Sequence, residues 1–165
     1  MLPIYLIGLA VFLAFLHGLY LYFKGRRIFP EALFLMYLLF CNVGIMGFLA
    51  FYSHTALRDK TAELIGWPAS NPFQLEVAAA NLAFGVLGFL SVWIRTLSFW
   101  FATLIGNASF LLGCLIVHLI QYAKGNYAPY NIGPFIWVMD LFIPLLMIGI
   151  FFLTYRKKDQ MEKLS

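Results

Sequence analysis

The sequence predicts an all-α integral membrane bundle of five transmembrane helices, with the N-terminus outside and the C-terminus cytoplasmic. Three observations carry this expectation. The chain of 165 residues is 63% hydrophobic and only 11% charged, whereas a soluble domain carries roughly 45–50% apolar and about 25% charged residues. Five apolar stretches, 2–23, 31–52, 72–94, 97–122 and 134–155, each exceed the ~20 residues that cross a hydrocarbon core about 30 Å thick. None of them alternates with period two, so a barrel is not indicated, and a span in lipid satisfies its own backbone as a helix. Residues 1–165 are accordingly read as a single transmembrane domain.

Span one has no basic leading segment and no small-residue cleavage site, so it is expected to be a spanning helix and not a signal peptide. The segment after it holds Lys24, Arg26 and Arg27. With Arg95 after span three and Arg156, Lys157, Lys158 and Lys163 in the tail 156–165, eight basic residues fall on one side against three on the other, Arg58, Lys60 and Lys124. The positive-inside rule makes the richer side cytoplasmic. The net charge of +4 calls for no nucleic acid, because a basic tail is matched by anionic lipid headgroups. Trp67 and Trp137 fall at the expected outer face, and Trp93 and Trp100 at the inner one, as interfacial belts do.

The loop 53–71 follows span two. Leu57, Thr61, Leu64 and Ile65 share one helical face within it, and Gly66 and Pro68 make a stop, so a short amphipathic helix on the outer surface is expected. Spans three and four are joined by Arg95 and Thr96 alone, which predicts antiparallel neighbours. Small residues at Gly44, Gly47, Gly85 and Gly88 suit close helix contact. Asn42, Asn81 and Asn107 near mid-span suit interhelical hydrogen bonds. Cys41 and Cys114 read as buried thiols, His17 as a packing residue, and His54 as a solvated histidine at the outer mouth.

Spans three and five enter the membrane in the same way. Asn71 precedes Pro72, Gly133 precedes Pro134, and proline suits a first helical turn because its missing N–H would lack a partner there anyway. Each span then carries an acid, Glu76 and Asp140. At ~1.5 Å per residue, Glu76, Asp140 and His118 lie about 6, 9 and 6 Å inside the outer end of their spans. On span four, Asn107, Cys114, His118 and Gln121 are spaced to share a face. An acid at mid-span costs ~2.5–3.5 kcal/mol on insertion scales. That cost is met by a helix N-terminus, a neighbouring imidazolium or cation, or a bound proton. Pro144 removes the helical partner of the Asp140 carbonyl, as at the broken helices where transporters hold cations. Glu76, His118 and Asp140 are therefore the expected pocket, with Gln121, Asn131 and Trp67 orienting a ligand. No glycine-rich phosphate loop, H-E-x-x-H or G-x-S-x-G motif is present, and no cofactor, metal set or catalytic nucleophile follows from the residues.

The stretches "GWPASNPFQLE", "FLLGCLIVHLIQ" and "NYAPYNIGPFIWVMDLFIP" resemble a family of small bacterial inner-membrane proteins of unknown function, comparable in size to DoxX-like proteins. The resemblance runs over about residues 66–146. It implies a multi-pass protein of the bacterial inner membrane and no particular activity. Three functions are weighed on the residues themselves. The first is an outward-facing pocket that binds a small ligand or cation, in a transport-related role. The second is a membrane enzyme acting on a lipid or quinone with His118 as acid or base. The third is an accessory or assembly protein in which the cluster locks the helices.

Overall fold

A computed structural model describes residues 2–159. Within them the chain forms α1 (Leu2–Phe23), α2 (Pro30–Thr55), α3 (Arg58–Ile65), α4 (Phe73–Leu90), α5 (Leu97–Ala123) and α6 (Pro129–Tyr155), and no strand. All but α3 are long and apolar enough to cross a membrane. The expected tail beyond residue 159, with Lys163, lies outside the described residues. Antiparallel succession puts α3 at one end of the bundle, the α3 end, and Lys157 at the other, the tail end.

Burial here sorts residues by polarity and size more than by hydrophobicity, because lipid tails are as apolar as leucine and give no reason to hide it. α1 leaves Tyr5, Phe12, Phe15 and Tyr20 exposed. The interior instead collects Asn42, Gln74, Ser91, Thr103, Asn107, Asn131 and Asp140. α2 is the central helix, with Leu35, Leu38, Leu39 and Val43 buried. It crosses α4 at the four glycines. A Cβ placed on Gly47 would lie 2.7 Å from the Cα and N of Gly85, and one on Gly88 would lie 2.7 Å from the carbonyl oxygen of Leu39. The two backbones are thus in direct contact. α4 packs chiefly on α2 and only sparsely on α5, although a short turn joins α4 to α5.

Two helices carry a widened π turn, at Leu39–Ile45 in α2 and Trp137–Phe142 in α6. In the first, the Met46 N–H donates to the Cys41 carbonyl, and in the second the Ile143 N–H donates to the Val138 carbonyl. The second lies just ahead of Pro144, which has no N–H for the Asp140 carbonyl. Wide turns of this kind push one residue out of the regular helical register and recur at functional sites. They place Asn42 and Asp140 on the interior.

The start of α1 lies level with the middle of α2, since Asn42 Nδ2 donates to the Pro3 carbonyl at 3.0 Å. At the tail end, Lys157 Nζ pairs with Glu31 Oε1 at 3.0 Å and joins α6 to α2. Trp100 is 4% exposed and its Nε1 donates to the Ser91 carbonyl at 2.9 Å. It closes the turn between α4 and α5 and is not the headgroup anchor that the sequence suggested. At the α3 end, α3 stops at Gly66, whose φ of 78° is left-handed. Asn126 Nδ2 donates to the Ile65 carbonyl at 2.9 Å and pins α3 to the loop before α6.

Candidate functional site

Under α3 lies a cavity of about 700 Å³ walled by α2, α4, α5 and α6, with Leu2 of α1 at its edge. It separates α4 from α5. Phe73, Val77 and Asn81 face it from α4, and Asn107, Cys114 and His118 from α5. Leu57, Thr61, Leu64 and Ile65, the apolar face of α3, also line it. That face therefore covers the cavity. Most of the wall is apolar, and the size is that of a small-molecule site.

His118 and Asp140 meet on the wall at the α3 end. They are 8% and 4% exposed, so neither faces lipid. His118 comes from the last turns of α5, and Asp140 is turned inward by the π segment of α6. Asn131 orders the imidazole. Its Nδ2 donates to the carbonyls of His118 and Asn126 at 3.3 and 2.8 Å, which fixes its Oδ1 as the acceptor for His118 Nδ1 at 2.9 Å. Nδ1 must then carry a proton. The other ring atom, Nε2, faces Asp140 Oδ2 at 3.9 Å. This exceeds a hydrogen bond and leaves the two groups free to share a third polar group. Trp67, beyond the αL glycine, stacks on the imidazole with centroids 6.4 Å apart and planes 16° apart.

The expected pocket is corrected at four positions. Glu76 is exposed and does not line the cavity. Gln74, at a similar depth, turns inward instead, is buried, and its Oε1 pairs with His54 Nδ1. Two residues on a helix differ by about 200° in direction, so α4 can present one of this pair to the interior and not both. Gln121 is half-buried and off the cavity. His54 is half-buried on the cavity wall rather than solvated, because α2 runs three residues past the expected end of its span. Trp67, His118, Asn131 and Asp140 are brought together, Asn131 from behind the imidazole. Sequence reasoning missed the His54–Gln74 pair. Its only trace in the sequence is a glutamine early in α4.

The arrangement offers one carboxyl group, one oriented imidazole and an apolar chamber. Among the described residues no three His, Cys, Asp or Glu side chains converge as a metal site would require. No curated protein and no solved structure matches the chain. A family model covers residues 1–160, nearly the whole chain, and carries no assigned activity. By that match the chain belongs to DUF6790, a family of unknown function.

Proposed function

We propose that this protein binds a small amphipathic organic molecule in the cavity beneath α3, as a binding or transport-related protein of the bacterial inner membrane. The polar end of the ligand sits between His118 Nε2 and Asp140, and its apolar body lies along the wall formed by Met46, Phe110, Leu111 and Met139. The distribution of basic residues favours the α3 end as the outward face. One observation carries the proposal: a shielded, unsaturated imidazole–carboxyl pair opens onto a mostly apolar chamber of about 700 Å³. An organic ligand suits this better than a divalent cation, which seeks six or more oxygen ligands for calcium or an octahedral set for magnesium.

The test is mass spectrometry of molecules carried by the chain purified from its native membrane. The wild type is expected to retain one species in fixed ratio. Cys114→Trp, which builds an indole into the cavity, is expected to lose it, and Asp140→Asn to hold it more weakly. If the wild type retains nothing that Cys114→Trp lacks, and Ala at His118 or Asp140 merely lowers stability, the cluster is a scaffold that locks the helices.

A further inference from the structure

The cavity has a second polar end. Asn42 and Asn107 line its deeper part, are 0% and 4% exposed, and each has a side-chain Oδ1 without a hydrogen-bond partner. The Asn42 amide cannot be turned around to hide this, because its Nδ2 already donates to the Pro3 carbonyl. An unpaired acceptor so far from either membrane face has no solvent to satisfy it. Asn107 precedes His118 by eleven residues on the same helix, which is about 16 Å along the axis. The wall between them includes Phe110, Leu111, Cys114 and, from α6, Met139. The chamber is thus polar at both ends and mostly apolar between, with Asn81 also on its wall.

We propose that the Asn42–Asn107 end is a distinct subsite for a hydrogen-bond donor, so that the ligand is polar at both ends, with a hydroxyl or amine about 16 Å from the group held at His118 and Asp140. This rests on the ligand-binding function above. An amide oxygen pairs only with a donor, so a methyl terminus would leave both oxygens bare, and a carboxylate terminus would be repelled by them. A neutral hydroxyl is the least costly donor at this depth, because a charged amine carries a desolvation penalty there.

The probes are 1,12-dodecanediol, whose extended hydroxyls stand at about that separation, and 1-dodecanol, which lacks the second one. Binding of each, radiolabelled, is measured on the full chain in lipid nanodiscs and corrected for partition into empty discs. The diol is expected to bind about three- to tenfold more tightly, the gain of one net hydrogen bond. Asn42→Leu and Asn107→Leu are each expected to shrink that preference, and the double variant to abolish it. Equal affinities in the wild type overturn the subsite while leaving the cavity as a binding site. A preference that survives both leucines overturns the assignment to these residues. If neither probe binds saturably, the ligand-binding function fails, and the subsite with it. The wild-type comparison needs no variant, so a misfolded mutant does not shield the proposal.

Discussion

Gly47→Ala tests the crossing that sets one wall of the cavity. The added Cβ would stand 2.7 Å from the Cα and N of Gly85 and 2.8 Å from the Asn81 carbonyl oxygen, whereas ordinary contact begins at 3.4 Å. All three neighbours are backbone atoms, so no rotamer change relieves the clash, and the helices must part by about 0.7 Å. Overpacking of this kind costs about 1–3 kcal/mol. Alanine recovers about 0.5–1 kcal/mol through its better helix propensity. The net loss is then between zero and about 2.5 kcal/mol. Gly149→Ala is the matched control. A Cβ there meets nothing within 4 Å, so the propensity gain stands alone, at about 0.5–1 kcal/mol. Both are read by reversible unfolding in mixed micelles with increasing dodecyl sulfate, followed by tryptophan fluorescence and circular dichroism. Equal stability of the two variants would refute the backbone contact. Val77 and Asn81 sit on α4 beside this crossing and line the cavity, so the parted helices would also loosen ligand binding.

Asn131→Ala removes the acceptor for His118 Nδ1 and the donor to two carbonyls. It is expected to cost about 1–3 kcal/mol by the same unfolding assay, the penalty of a buried unpaired donor. Asn131→Asp, which keeps the acceptor, is expected to recover part of the loss. Lys157→Gln breaks the pair with Glu31, but the lysine side chain is 47% exposed. The Glu31 side chain is only 13% exposed, so losing its partner leaves a buried acceptor and is expected to cost about 1–3 kcal/mol, less in ~1 M salt, where the screening length falls to about 3 Å. Orientation is tested with Ser70→Cys and Lys158→Cys, each in a background with Cys41 and Cys114 changed to serine. In intact cells an impermeant maleimide is expected to label residue 70 and to reach residue 158 only after lysis. The opposite pattern would invert the proposed topology.

Much of this architecture was legible because lipid imposes length. A stretch of about 20 apolar residues can do little else, and the helices follow those stretches. The paired proline entries and the depth estimate pointed to His118 and Asp140, whose side chains lie 3.9 Å apart on the cavity wall. The same method chose Glu76 over Gln74, because depth fixes height along a helix and says nothing about direction around it. On α4, apolar residues occur all round, so the sequence gives little sign of which side turns inward. The glutamine is buried and the glutamate is not. His54 was misplaced because the second span was ended at residue 52, whereas α2 runs to Thr55. The π turn in α2 has no proline to announce it, although the interhelical hydrogen bond expected of Asn42 forms, to the Pro3 carbonyl.

The level at which Asn42 meets Pro3 has a further consequence. Asn42 is bonded to Pro3, and thirteen residues of α2 continue beyond that level to Thr55. α2 and α6 pack together chiefly in their tail-end halves. Leu2 and Leu49, both exposed, stand on the cavity rim between α1 and α2. For a guest of the proposed kind this rim is the expected way in, from the surrounding leaflet and without passing through water. The guest's occupancy would follow its mole fraction in the bilayer, so diluting the membrane with inert lipid would lower occupancy at a fixed total amount.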